Sequence, residues 1–199
     1  MTHRIAAAAA ALTLAFGANG FAQSSHWEID PAHSSASFTV RHMMVSNVRG
    51  EFTKLAGSLE VVGDDPTTAK VNISIDAGSI STREPKRDAH LRSADFFDVA
   101  KFPTITFTSK KVERVGEGRL KLVGNLTIHG VTKEVTLDVE ELTPTVKDLN
   151  GNLRVGAHAT ARINRNEFGL LWNMPLEAGG VLVGDDVNIT IDVELIKRA

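Results

Sequence analysis

The sequence contains no cysteine. That excludes a disulfide framework and a thiol nucleophile, so the fold must be held by its core alone. Nor does one charge predominate: 22 Lys and Arg stand against 24 Asp and Glu, a net charge of −2. Such a balance excludes the basic surface that nucleic-acid binding requires. Beyond the N-terminus no hydrophobic run is long enough to span a bilayer. The local signatures of zinc proteases, serine hydrolases, P-loop and Rossmann proteins are all missing. Histidines 26, 33, 42, 90, 129 and 158 stand singly, without ligand spacing, so no metal site is expected. There is no internal repeat, low-complexity segment or linker, and residues 23–199 read as one domain.

The first 22 residues have a different character. Arg4 gives an early positive charge, Ile5 to Phe16 is an uncharged run rich in alanine and leucine, and Gly20-Phe21-Ala22 offers small side chains at a peptidase site. Twelve apolar residues fall well short of the about 20 that a spanning helix needs. This is the pattern of a secretory signal cleaved after Ala22. Export without cysteine fits a bacterial periplasm.

Period-2 alternation dominates the remainder. Ala36, Phe38, Val40 and His42 share one face, as do Val71, Ile73, Ile75 and Ala77, then Leu120, Leu122, Gly124, Leu126 and Ile128. From Val48 to Val61 the alternation slips near Thr53–Lys54, where a bulge is expected. Further stripes run through Ile105 and Phe107, Val135 to Val139, Leu153 to Ile163 and Val187 to Leu195. Gly116-Glu117-Gly118, His129-Gly130 and Asn150-Gly151 mark tight turns. Only Ser81 to Phe102 breaks the pattern, with Pro85 in a first helical turn, Ser93 as an expected N-cap and Pro103 as a stop. The expected fold is all-β: eight antiparallel strands closed into a barrel, with one or two short helices in the connection between strands 3 and 4.

An eight-stranded barrel is either filled or wide enough for one small ligand. The inward stripes carry many small residues, among them Gly50, Gly57, Gly124, Ala157, Ala159 and Ala161. Opposite large side chains these are ordinary taper filling; over the whole barrel their number favours an apolar cavity. Two irregular segments could frame its ends. Arg83 to Phe102 mixes bases with aromatics, as a rim for an acidic head group would, or as a capping helix whose phenylalanines plug the barrel. Phe168 to Val183 is a long apolar loop, as a lid would be.

Several segments also carry a resemblance. Ser34-Ser35-Ala36-Ser37-Phe38-Thr39-Val40-Arg41-His42 resembles the opening of the YceI-like family of polyisoprenoid-binding proteins, and Arg87-Asp88-Ala89-His90-Leu91-Arg92-Ser93-Ala94-Asp95-Phe96-Phe97-Asp98-Val99, followed by Lys101-Phe102-Pro103, resembles it most specifically. Gly124 to Thr132, Phe168-Gly169-Leu170 with Trp172, and Val183-Gly184-Asp185-Asp186-Val187 agree in order.

The resemblance implies a lipocalin-like barrel, a periplasmic location, and a long isoprenoid or comparable lipid held in the interior by a carrier rather than an enzyme. It implies no required cofactor, and no catalytic or metal site. The expected partner is an apolar small molecule, with transient membrane contact and a homodimer as further associations. Inward parity, rim and lid together nominate the ligand-binding residues. Phe38, Val40, His42, Phe52, Ile73, Ile75, Phe107, Leu122, Leu126, Leu137, Ala157 and Ala159 would line the interior. Arg87, His90, Leu91, Arg92, Phe96 and Phe97 would form the rim, and Phe168, Trp172 and Met174 the lid. The rival readings are a filled barrel acting through its outer surface and an enzyme acting on an isoprenoid or quinone.

Overall fold

The computed structural model describes residues 23–177 and 179–198, so the expected signal segment lies outside the described residues. The strands are β1 (Ser24–Ile29), β2 (Ser35–His42), β3 (Ser46–Phe52), β4 (Leu55–Val62), β5 (Lys70–Asp76), β6 (Ile80–Ser81), β7 (Thr104–Gly116), β8 (Arg119–Ile128), β9 (Val131–Leu142), β10 (Val146–Lys147), β11 (Leu153–Asn164) and β12 (Val183–Arg198). Among the described residues a single α-helix, α1 (Pro85–Arg92), lies between β6 and β7. All twelve strands belong to one antiparallel sheet, and eight of them, β1-β4-β5-β7-β8-β9-β11-β12, close into a barrel because β12 pairs with both β11 and β1.

The alternation explains the staves. On β8, Leu120, Leu122, Gly124, Leu126 and Ile128 are buried while Arg119 and Lys121 face outward. The turns fall where backbone freedom is available: Gly118 (φ 64°), the His129-Gly130 pair (φ 51° and 74°) and Gly151 (φ 88°) all adopt left-handed conformations.

Which strands form the ring differs from the sequence expectation. Ser35–His42 form β2, which lies outside it; β2, β3 and β6 make a flap hung on the first half of β12. Its place in the ring belongs to β1, whose stripe is only Trp27 and Ile29. So short a pattern is a weak periodic signal. The slip at Thr53–Lys54 is a corner, not a bulge. There the N–H groups of Thr53 and Lys54 donate to Ser79, and Lys54 O accepts from Asp76 N–H, so the chain leaves the flap and enters the ring. Ser93 is a C-cap rather than an N-cap: its N–H donates to His90 O, while the Glu84 carboxylate caps the start and Pro85 occupies the first turn.

Two apolar clusters line the interior of the ring. The larger joins Ile105, Phe107, Leu122, Leu126, Leu137 and neighbours to Phe168 and Leu170, which follow β11. The smaller packs Trp27, Ile29, Leu55 and Leu195 where β1 meets β12.

At that seam Arg154 joins three chain segments. Its guanidinium donates to Asp30 Oδ2 at 2.8 Å, to Asp148 Oδ2 at 2.7 Å and to Glu194 Oε1. This contact, aided by His33, holds the Asp30 carboxyl down to about 2 from 3.8, and Arg154 also holds Asp148 well below the carboxylate range. Because the folded values are depressed, the stability they supply is complete above the unfolded value of 3.8 and drains as pH falls through about 2. Arg154→Met should therefore melt lower than wild type at pH 7 and lose less of its Tm between pH 5 and pH 2. Thermal melts followed by circular dichroism test this; parallel curves for the two proteins would remove Arg154 as the cause.

Candidate functional site

The ring encloses a cavity of about 230 Å³. Its wall takes Ile73 and Ile75 from β5, Phe107 from β7, Leu122 and Leu126 from β8, Leu137 from β9 and Ala157 and Ala159 from β11. Phe38 and Phe52 reach it from the flap, so the flap is part of the wall. Among the described residues the only polar ones along it are Ser37, Ser58 and Thr106. No buried side-chain nitrogen or oxygen among the described residues lacks a partner. The cavity therefore offers hydrocarbon contact and no waiting hydrogen bond.

The small inward residues divide into two kinds. The glycines are seats for large neighbours. A Cβ on Gly50 would stand 2.4 Å from the Phe38 ring, and one on Gly57 2.7 Å from Ile73 Cδ1; on Gly124 it would stand 2.4 Å from the Phe107 ring and 2.5 Å from the Thr108 carbonyl. At these positions the space is filled. Ala157 and Ala159 instead leave room, and both line the cavity.

The expected rim and lid residues lie away from the cavity wall. Val40 and His42, expected to line the interior, continue β2 past Phe38 and are not part of the cavity wall either. Arg87 donates to Thr82 Oγ1 and Thr82 O, and Arg92 donates to Gly78 O and Ile80 O at 2.7 and 2.6 Å. Arg87 thus ties α1 to the residue after β6, and Arg92 ties it to β6 and to the turn before it, and neither guanidinium stands free at a mouth. Leu91 is half-buried, and its carbonyl accepts from Phe97 N–H. The Phe97 ring meets Phe52 edge-on at 5.7 Å. His90 pairs with Asp95 at 2.8 Å and packs against Phe96 and Trp172, whose rings lie 5.2 Å apart. Phe168 is fully buried, whereas Met174 is exposed.

Arg165 fastens the loop after β11. It is only 4% exposed, and it donates to the carbonyls of Leu170, Trp172 and Gly184. Burial lowers its pKa. Sequence reasoning missed this anchor, because an arginine satisfied by main-chain carbonyls carries no pairing signal. It also omitted Pro66 and Ala69, which line the cavity from the turn before β5, and Leu142, which sits beyond a register shift in the β9–β11 pairing. Ile189, Ile191 and Val193 line it too, and their alternation could have nominated them.

One group elsewhere resembles a metal site: Asp30, His33 and Glu194 bring ligand atoms within 4.8 Å of one another. Arg154 already lies on both carboxylates and supplies the positive charge that a cation would bring.

The family of YceI-like domains matches residues 27–195. This chain belongs to the YceI-like family. A relative described as a UPF0312 protein of Staphylococcus aureus strain USA300 is 38% identical over 170 residues, which cover 85% of this chain and 96% of the relative. The crystal structure of a Campylobacter jejuni YceI protein superposes with a TM-score of 0.68 at 30% identity, over 80% of this chain and 90% of that one. A polyisoprenoid-binding domain from Saccharophagus degradans, implicated in plant cell wall breakdown, shares the fold with a TM-score of 0.63 at 18% identity, over 89% and 99% of the two chains. The YceI-like barrel seen here is thus common to proteins with little sequence in common.

The seated rings yield a direct test. Gly124→Ala sets a methyl group against both an aromatic ring and a main-chain oxygen, and overpacking of this kind costs about 1–3 kcal/mol. Urea unfolding should show a lower midpoint at unchanged slope. A neutral substitution would mean that Phe107 does not lie over Gly124.

Proposed function

We propose that this YceI-like protein is a periplasmic carrier or store for a long-chain apolar lipid of the polyisoprenoid type. The observation that carries the reading is the cavity with an apolar wall inside a polar-faced barrel. Its volume is roughly half as large again as a cavity of about 150 Å³ that binds benzene, and apolar cavities of this kind stay dry and take apolar guests. The alanines of β11 supply the room, and removal of hydrocarbon from water supplies the affinity, at about 25 cal/mol per Å².

Among the described residues the wall contains no Asp, Glu, His, Lys or Arg, and its polar groups are the hydroxyls of Ser37, Ser58 and Thr106, so a bound tail has no acid or base beside it. That favours binding over catalysis. A charged head group would cost several kcal/mol if buried unpaired and therefore remains outside. Isoprenoid quinones, prenyl phosphates and fatty-acid derivatives all meet this requirement. Residues 1–22 would direct export and the mature chain would start at Gln23. The similarity to a polyisoprenoid-binding domain supports the choice of ligand class.

Native mass spectrometry with lipid extraction tests the proposal. The purified protein should carry a stoichiometric lipid, and Ala159→Phe, which fills the cavity, should fold but lose it. If no lipid is present and added long-chain lipids leave Tm unchanged, the carrier reading fails. Normal uptake by Ala159→Phe would place the ligand elsewhere.

A further inference from the structure

A head group left outside the barrel needs an open end, and the two ends of the cavity are built differently. At the α1 end a packed layer stands behind the wall. Phe96, Phe168, Leu170, Ala77 and Ile80 are each at most 7% exposed, and none of them borders the cavity. Phe168 and Leu170 share a cluster with Ile105, Phe107 and Ile128, which do border it. Phe97 packs on Phe52, a wall residue, and Trp172 lies on Phe96. Arg92 and Arg165 bind main-chain carbonyls of the same layer, at Ile80 and Leu170. The segments whose composition suggested a rim and a lid thus make a floor.

At the opposite end the cavity wall reaches a surface turn. β4 ends at Val62, β5 begins at Lys70, and a 3-10 turn, Pro66–Thr68, joins them. Pro66 and Ala69 border the cavity together with Val61 and Val71. Asp65, Thr68 and Lys70, their neighbours in sequence, are exposed. Adjacent residues therefore meet the cavity and the solvent, and the barrier here is one turn of chain.

The hydrogen bonds of this turn are local. The Asp65 carboxylate accepts from Thr67 N–H at 3.0 Å and from Thr67 Oγ1 at 2.8 Å. Thr68 Oγ1 accepts from Val62 N–H at 2.9 Å, and Ala69 N–H donates to Pro66 O at 3.2 Å. An ion pair links the turn to β7, from Arg114 to Asp65 at 3.8 Å, but both partners are exposed and such a pair holds weakly. Segments with exposed hydrogen bonds and few buried contacts open at the lowest cost. The charges around the turn select no head group: Asp64, Asp65, Lys70 and Arg114 are all exposed, two of each sign. What passes this point is recognised as hydrocarbon, and a tail that goes in first gains apolar contact while its head stays hydrated.

We infer that the lipid enters and leaves tail first past the Pro66–Ala69 turn, so that its tail end lies toward α1 and its head group stays in water beside the turn. The inference rests on the carrier reading and adds to it a mouth, a floor and a direction.

Because the chain has no cysteine, a single introduced one can be labelled uniquely. Bimane attached at Asp64→Cys reports on the turn and bimane attached at Ala94→Cys on the α1 end; both native side chains are exposed. Stearic acid with a nitroxide on carbon 5, near the head, should quench the first label at least twofold more than the second. With the nitroxide on carbon 16, near the tail end, the order should reverse. Ala159→Phe, which fills the cavity, should abolish quenching at both labels. Equal quenching at the two labels, or the opposite order, would overturn the direction. Ala69→Trp should slow uptake of both probes at least tenfold, with a thermal melt to confirm folding, and a folded variant that fills at the wild-type rate would remove the turn as the mouth. If that variant does not fold, the two labels decide. Wild type that takes up neither probe would sink the carrier reading and this inference with it, whereas uptake in the opposite order sinks the inference alone.

Discussion

β12 has more neighbours than a strand has edges to give them whole. One edge pairs with β11 from Asp186 to Ile196; the other must be divided, with Val183 to Asp192 going to β2 and Leu195 to Arg198 to β1. The handover falls at Glu194. Its carbonyl accepts from Asp30 N–H, its N–H donates to Ser34 Oγ, and its carboxylate meets Arg154. This junction lets the ring close while the flap stays attached. Without the divided edge, either β1 would leave the ring open or β2 would lose its partner. An open ring would expose the apolar face that the cavity needs enclosed.

The division also gives the cavity its shape. Because β2 and β3 hang from the first half of β12, Phe38 and Phe52 reach inward beside Ile189 and extend the wall past the ring. Gly50 accommodates the Phe38 ring that this requires. Around the β8–β9 turn, Phe102 packs against His129, and a Cβ on Gly169 would stand 3.3 Å from the His129 Nδ1. Arg165 fastens the chain that follows. The irregular segments are thus ordered by specific contacts, and that order confines the apolar space.

The sequence made the staves legible because each buries one face, and burial of alternate residues leaves a periodic trace. β8 is the clearest case. β1 left almost none, since only Trp27 and Ile29 turn inward before Pro31. The corner at Thr53–Lys54 has the same phase slip as a bulge, and only its pairing partners distinguish the two. For the cavity, parity found the residues of β5, β8 and β11 but could not reach Pro66 or Leu142, which lie beyond regular alternation. The rim was misplaced for a chemical reason. Arg87 and Arg92 look like head-group ligands in sequence, yet main-chain carbonyls are equally good acceptors, and sequence does not show which carbonyls are free.

A hollow interior needs its own explanation, because void space is destabilising. At about 24 cal/mol per Å³, an empty 230 Å³ costs on the order of 5 kcal/mol, a large fraction of a typical domain's stability. Larger side chains at Ala157 and Ala159 would reduce that cost, and the chain has alanine at both. Elsewhere the space is filled: rings occupy the positions over Gly50 and Gly124. The same barrel therefore contains both the filled and the unfilled solution, and the unfilled one runs along a single stave. Occupation by an apolar tail would recover the missing contacts without any head-group partner. The lost packing energy and the ligand affinity are in this sense one quantity, and a filled barrel acting only through its outer surface would leave the alanine stave of β11 without a physical reason.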